Sequence, residues 1–242
     1  MNTETFRIAV SGLTVEVVRK DIKNLHLGVY PPNGRVRVAA PTGMSLNAIR
    51  LAVIGKLGWI KKQRVKFDTQ PRQSEREMVD GETHYVSGRR YRLRVIEEKA
   101  PARASIRGPA TLELRVRPGT TTEQRERILQ EWYRQQLKAE LPPLIAKWQR
   151  KLGVAPREWG IRRMKTKWGT CNPSARRIWI NLELAKKPPR CLEFIVVHEL
   201  VHLIERKHTP RFAEIMHAHL PRWRSCREEL NRAPLAHEQW GY

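Results

Sequence analysis

The chain has 242 residues, of which 40% are hydrophobic and 29% charged, and these proportions exclude a disordered protein. No apolar run is long enough for a membrane span, and the first residues lack the basic and apolar regions of a signal peptide. The formal net charge of +23 favours association with a polyanion, above all nucleic acid.

The cysteines and the distribution of charge refine these expectations. Cys171, Cys191 and Cys226 are an odd number and form no Cys-x-x-Cys pair, so we expect free thiols and a cytoplasmic protein. Lysine and arginine are spread along the whole chain. They therefore either contact DNA or another nucleic acid, or only solvate the surface, and the sequence leaves both interpretations open.

The first third of the chain is predicted to be rich in strands. The segments LTVEVVRK, NLHLGVY and RVRVAAP alternate apolar and polar residues. A helix is predicted next, because apolar residues then recur three or four positions apart, at Ile49, Val53, Leu57 and Ile60. Further strands follow in THYVSGRRYRLRVIEE, a hairpin turning at Ser87–Gly88, and in TLELRVR.

A long helix is predicted to begin after Pro118–Gly119, where Thr120 and Glu123 have capping-box spacing. Pro142 and Pro143 are expected to kink or restart this helix. The change from strand-like to helix-rich sequence predicts two domains, a β-rich N-terminal region over residues 1–118 and a second domain over residues 119–242. No internal repeat is evident in the sequence.

Two strands joined by a tight turn are predicted in the second domain. The segments GIRRMKTKWGTC and RRIWINLEL flank the turn NPSA, which is typical of a hairpin. Pro189 then suits the first turn of a helix.

That helix carries the candidate chemistry, in the motif formed by His198, Glu199 and His202. Histidines at positions i and i+4 project from one helix face, so both imidazoles can reach one ion about 2 Å away. Glu199 lies about 100° round the helix from His198, where it can face a water molecule bound to the ion.

A third ligand is predicted at His208, six residues after His202. Thr209 is a good N-cap and Pro210 suits the first position of a new helix, so the active helix is expected to end near Arg206. Three histidines leave a fourth coordination position open, which is typical of a catalytic zinc site. The competing interpretation is an ordinary helix, but its apolar flanks predict burial, and a buried His-Glu-His set without a metal would cost several kcal/mol.

Residues from about 155 to 230 resemble the YgjP-like and SprT-like zinc metallopeptidases. Those families share a Trp-Gly-Ser-Cys strand, an Ile-x-Leu-Asn strand, and an HExxH helix with a further histidine six residues later. Here Trp168–Cys171 matches with Thr170 in place of serine, Ile180–Leu182 matches in part, and the span from His198 to His208 matches without a gap. The histidine spacing also equals that of metzincins, but Glu205 stands where metzincins keep glycine.

The resemblance implies an α+β zincin-type domain in which the HExxH helix lies under a small sheet. It implies Zn²⁺ held by His198, His202 and His208, and a zinc-activated water that attacks a peptide carbonyl with Glu199 as general base. The segment RRIWINLEL is the expected edge strand for an extended peptide or protein substrate. Some members of these families act on proteins bound to DNA, and the charge of this chain is compatible with such a role.

Two other functions stay open from the sequence. The chain could be a nucleic-acid-associated binding or scaffold protein on a zincin frame without peptidase activity. An HExxH motif activates water without choosing the substrate, so hydrolysis of another bond is a third, weaker possibility. No membrane association is expected, and the sequence gives no oligomeric state.

Overall fold

The computed structural model describes residues 4–30, 34–69, 76–164 and 167–232. These residues form an α+β fold with a β-rich N-terminal part, which confirms the predicted fold class. The N-terminal elements are β1 Thr5–Val10, β2 Leu13–Lys20, β3 His26–Tyr30, β4 Arg35–Pro41, α1 Leu46–Ile54 and α2 Leu57–Thr69. The central elements are β5 Thr83–Val86, β6 Arg89–Glu97, β7 Arg103–Arg107, β8 Thr111–Val116 and α3 Thr122–Leu152. The last elements are β9 Glu158–Arg162, β10 Gly169–Asn172, β11 Arg177–Asn181, a 3₁₀ turn Leu182–Lys186, α4 Pro189–Val201, α5 Pro210–His219 and α6 Trp223–Arg232.

The described residues divide into two compact units, 4–69 and 76–232, whereas the composition of the sequence predicted a boundary at residues 118/119. Strands β5–β8 belong to the second unit, because the apolar side chains of β6 and β8 share one core with helices α3 and α4. The composition change near Pro118–Gly119 therefore marks a change of secondary structure inside one unit.

The first unit is a four-stranded sheet in the order β1-β2-β4-β3 with its own hydrophobic core. Strand alternation puts Val15, Val17, Val36 and Val38 on the core face. Ile49, Val53 and Ile60 pack into the same core, but the single helix predicted over these residues is divided into α1 and α2 at Gly55–Lys56. Helix α1 is capped at its N-terminus by Ser45, whose hydroxyl accepts a hydrogen bond from the Ala48 amide.

The second unit contains a sheet with the corresponding order, β5-β6-β8-β7. In both sheets the first pair is antiparallel, the central pair parallel and the last pair antiparallel. Both first hairpins turn at a Ser-Gly dipeptide with two positive φ angles, Ser11–Gly12 and Ser87–Gly88, an offset of 76 positions from 11 to 87. The N-caps Ser45 and Thr121 have the same offset. The central parallel register is shifted by two residues between the sheets. The two units thus contain an internal structural repeat that the sequence did not reveal.

Helix α3 is continuous from Thr122 to Leu152 and passes through Pro142 and Pro143, so the expected restart of the helix is wrong. Its buried residues occur before and after the prolines, and this packing on both sides holds the helix together where the prolines remove backbone donors. The capping box is formed by Thr121 and Gln124, one residue later than the predicted pair.

The second unit also contains a small sheet in the order β10-β11-β9. Strands β10 and β11 form the predicted antiparallel hairpin. The predicted strand GIRRMKTKWGTC is divided into β9 and β10, and β9 pairs in parallel with the other side of β11. Strand β11 is therefore central, and the expectation that RRIWINLEL forms an edge is wrong. Among the described strands, β10 and β9 are the edges of this sheet.

Helix α4 is fixed to α3 by a polar contact in addition to the shared core. Glu193 accepts hydrogen bonds from Lys147 Nζ at 2.7 Å and from Trp148 Nε1 at 2.9 Å. Pro189 is the first residue of α4, as predicted. The described part of the chain contains no helix that is long and apolar enough to cross a membrane.

Candidate metal centre

The three predicted histidine ligands lie together at the end of α4 and in the turn that follows it. His198 Nε2 lies 3.2 Å from His202 Nε2 and 3.1 Å from His208 Nε2. Within the described residues, this is the group of potential ligand atoms that could hold a metal ion. Two nitrogens bound to one zinc at about 2.0–2.1 Å with near-tetrahedral angles lie about 3.3 Å apart, so the spacing of these imidazoles fits such an ion.

The hydrogen bonds of the imidazoles favour a cation between them. His202 Nδ1 lies 3.1 Å from the carbonyl oxygen of Glu205, and because a carbonyl only accepts, Nδ1 must carry the proton. In neutral His202 the lone pair of Nε2 then faces the other two rings. Fixing the tautomer of a ligand through its second nitrogen is typical of metal sites.

The local fold that brings the histidines together differs in one respect from the expectation. Helix α4 ends at Val201 with His202 as its C-cap, five residues earlier than the predicted end near Arg206. The chain then turns, and α5 begins as predicted, with Thr209 as N-cap and Pro210 in its first turn. The early end of α4 lets residues 203–207 turn back, so that His208 meets His198.

Burial lowers the pKa of the two histidines on α4. For His198 the pKa falls to about 3, because burial disfavours the charged ring and the nearby His202 and His208 add to this effect. The pKa of His202 is also lowered by burial, against the hydrogen bond to the Glu205 carbonyl. Neutral imidazoles are the form that binds metals.

Glu199 is buried next to β10, with 4% of its surface exposed. Burial raises the pKa of this carboxyl to about 8, and the positive charge of Lys167 opposes the rise. A Cβ atom at Gly169 would lie 2.5 Å from Glu199 Oε1, so the absence of a side chain at Gly169 makes room for the carboxylate. The Trp-Gly-Thr-Cys match therefore has a physical basis in this contact.

Two further residues belong to the site: Phe212, which the sequence reasoning did not single out, and Asn181, which it named only within a partial strand match. Phe212 of α5 is buried, and its ring centroid lies 4.7 to 4.9 Å from the centroids of all three imidazoles. Asn181 is fully buried, and its amide Nδ2 donates to the carbonyl oxygens of Met164 and Lys167 at 2.7 Å each. Asn181 thereby fixes the connection that leads into β10. The sequence signal that could have indicated this role is a polar residue inside the apolar run IWINLEL.

Trp223 and the three cysteines have structural roles. Trp223 stacks on Phe194 with ring centroids 6.3 Å apart, below His198. Cys171, Cys191 and Cys226 are free thiols, as predicted. Burial raises the pKa of Cys171 to about 11 and that of Cys191 to about 12, which keeps both thiols protonated near neutral pH.

The α+β fold, with an HExxH helix against a small sheet and three converging imidazoles, defines a metallopeptidase type of architecture. A family model described as "YgjP-like, metallopeptidase domain" matches residues 23–233. The chain belongs to this family of metallopeptidases, as the sequence resemblance indicated.

Two other comparisons with known proteins add little to this family assignment. The crystal structure of the metallopeptidase zymogen of Pyrococcus abyssi abylysin is similar to 36% of this chain and 89% of its own, with 18% identity and a TM-score of 0.34. No curated protein matches the chain.

Proposed function

We propose that the chain is a zinc-dependent peptidase in which His198, His202 and His208 hold the metal and Glu199 is the general base. The observation that carries the proposal is the convergence of three imidazole nitrogens beside a buried carboxyl. Three protein ligands leave a coordination position open, which is typical of catalytic rather than structural zinc. When bound, such an ion lowers the pKa of water and polarises a carbonyl oxygen.

The proposed chemistry of the chain's own residues follows from the environment of Glu199. A carboxylate buried beside the three imidazoles is placed to take a proton from the attacking water and return it to the leaving amine. Gly169 and the buried surroundings hold the carboxylate on the side of α4 that faces β10.

We place the substrate along the free edge of β10. One side of β10 pairs with β11, and among the described strands no other strand pairs with its second side. An extended peptide can add to such an edge through main-chain hydrogen bonds. The first residue of β10 contacts Glu199, so a peptide on this edge would lie close to the general base.

The test is a comparison of metal content and cleavage of an unfolded protein such as casein. Glu199→Gln is expected to keep the metal and lower cleavage by about 100-fold or more, because the amide cannot take a proton. His202→Ala is expected to lose both metal and cleavage. Glu214→Gln, the same change at an exposed glutamate of α5, should behave like the wild type. Cleavage by Glu199→Gln at the wild-type rate would show that the proposed mechanism is wrong.

A second test addresses the contact between Gly169 and Glu199. Gly169→Ala is expected to lower cleavage by about 100-fold with metal content unchanged, because the added methyl group must displace the carboxylate. Thr170→Ala, on the opposite face of β10, is the matched control. Equal activity of the two variants would remove Gly169 from the proposed site.

The alternative of a scaffold protein without peptidase activity predicts a different result. The metal would be present, but no protein would be cleaved with or without single-stranded DNA.

Free thiols at all three cysteines support the proposal of a reducing, cytoplasmic location.

A further inference from the structure

A row of arginines covers the face of the β5-β6-β8-β7 sheet that is turned away from the core. Strand β6 alternates between Tyr91 and Leu93, which are buried, and arginines on the opposite face. The strand registers put the arginines of β7 and β8 on this same face. The arginines of the face are Arg90, Arg92, Arg94, Arg103, Arg107 and Arg115.

The charge of this face is only partly balanced. Glu98 lies 3.1 Å from Arg103 and 2.8 Å from Arg115. Glu113 also contacts Arg115, at 3.1 Å. On β6, by contrast, Arg92 donates to the carbonyl oxygen of Gly81 and to a threonine hydroxyl, which are neutral acceptors. In the part of the chain that the structure describes, no carboxylate pairs with Arg90, Arg92 or Arg94, and all three are exposed.

The internal repeat shows that the fold does not require these arginines. At the same offset of 76 positions, from 16 to 92, strand β2 of the first sheet carries Thr14, Glu16 and Val18. There Glu16 contacts the neighbouring arginines, with distances of 3.4 Å to Arg35 and 3.1 Å to Arg37. In the first sheet, a glutamate of β2 therefore neutralises arginines on the outer face. In the second sheet, the corresponding positions of β6 carry additional positive charge.

An aromatic side chain lies beside the arginine row. Tyr85 of β5 is directly opposite Arg90 in the strand register, and it is 40% exposed. The phenol of Tyr133 donates a hydrogen bond to the backbone carbonyl of Tyr85. This bond involves the Tyr85 backbone and not its ring.

We propose that Arg90, Arg92 and Arg94 of β6, together with Tyr85, form a binding site for single-stranded nucleic acid. Alternate residues of a strand are about 7 Å apart, so Arg90, Arg92 and Arg94 form a line of guanidinium groups along which a phosphate backbone can run. Guanidinium groups bind phosphate oxygens in pairs of hydrogen bonds. Tyr85 at the end of the row supplies a ring on which an unpaired base can stack, and this favours a single strand over a duplex.

The test is fluorescence polarisation with a labelled oligothymidylate and the full chain over a series of salt concentrations. In the triple variant Arg90→Ala/Arg92→Ala/Arg94→Ala, binding is expected to fall by about 100-fold at about 0.1 M salt, and the slope of log affinity against log salt by about 2. Tyr85→Ala is expected to weaken binding by about tenfold with an unchanged slope. Circular dichroism of each variant checks that the chain is folded.

The matched control is Arg7→Ala/Arg35→Ala/Arg37→Ala, which removes the same charge from the corresponding face of the first sheet. This control is expected to bind oligothymidylate almost as the wild type does. Equal weakening in both triple variants would overturn the site and leave only an effect of net charge. Equally tight binding of poly-glutamate, or tighter binding of the duplex with no effect of Tyr85→Ala, would also overturn the proposal. Because the site does not include the metal centre, loss of nucleic-acid binding with intact cleavage separates it from the proposed peptidase.

Discussion

The two related sheets of this chain differ most clearly at the tips of their first hairpins. In the second sheet, the backbone amides of Ser87 and Gly88 donate to the carbonyl oxygens of Ala185 and Lys186, at 2.8 and 3.2 Å. These acceptors belong to the 3₁₀ turn that precedes α4. In the first sheet, a Cβ atom at Gly12 would meet nothing within 4 Å. Among the described residues, a side chain at Gly12 of the first hairpin would thus find open space, whereas the second hairpin supports the segment that leads into the helix with the metal ligands.

This comparison shows how one sheet architecture acquires a role through what its turns contact. The turn itself needs two residues with positive φ in both units, and the Ser-Gly sequence meets that need twice. The function of the second copy comes from the added segment 182–202, which docks on its hairpin tip and on α3. Paired substitutions at corresponding positions can separate the contribution of the turn itself from the contribution of the contacts that the turn makes.

The largest difference between corresponding positions is expected in the free energy of unfolding of Gly88→Ala and Gly12→Ala. Both changes place a side chain at φ near +77°, which costs about 1 kcal/mol. At Gly88 the new Cβ would also lie 2.7 Å from Pro188 Cγ, and this overpacking raises the total cost to about 3 kcal/mol. The measurement is the free energy of unfolding in urea, together with hydrogen exchange of peptides from each hairpin. Equal costs at the two glycines would mean that the docking of the second hairpin contributes nothing.

A second difference concerns pH, at the corresponding positions Ile8 and His84. Burial lowers the pKa of His84 to about 4, helped by the nearby Arg76 and Lys186 and opposed by Glu82. Between pH 6.5 and 4 the unfolded chain therefore binds a proton that the folded chain does not, so stability falls as the pH falls through this range.

The variant His84→Ile, which copies the residue of the first sheet, is expected to lose this pH dependence, on the order of 3 kcal/mol in all. Unfolding free energies of wild type and variant at several pH values between 7 and about 4 measure the effect. The hypothesis fails if the two proteins lose stability in parallel as the pH falls.

The smallest effect is expected at the helix caps. Thr121→Ala and Ser45→Ala each remove a side-chain acceptor for the first turn of a helix, at about 1 kcal/mol. The loss at Thr121 should be somewhat larger, because it also disrupts a capping box with Gln124. Thermal unfolding of the two variants gives the comparison, and a larger loss at Ser45 would contradict it.

Much of the candidate site could be predicted because its signals are local. The spacing of His198 and His202 follows from helix geometry, and Thr209 with Pro210 marks the start of α5 without any tertiary information. The position of His208 required only that the chain turn between these two helices. Local rules also gave the Ser87–Gly88 hairpin.

The features that the sequence analysis missed depend on contacts between distant segments. Strand β11 is central because β9 pairs with it from a segment before β10, and strand pairing of this kind leaves no local pattern. Helix α3 continues past Pro142 because packing on both sides compensates for the lost hydrogen bonds. The repeat was hidden because the two copies share little more than a Ser-Gly turn, a capping residue and the alternation of apolar positions.

Phe212 has a consequence for the conformational entropy of the metal centre. Its ring packs against all three imidazoles, which restricts the rotamers of the two half-buried histidines on α4 before any cation arrives. Side chains that are already ordered lose little rotamer freedom when they bind, so the chain meets part of the ordering cost during folding. Most of the remaining freedom belongs to His208, the exposed member of the three. The affinity of the centre should thus depend on how tightly the turn of residues 203–208 is held.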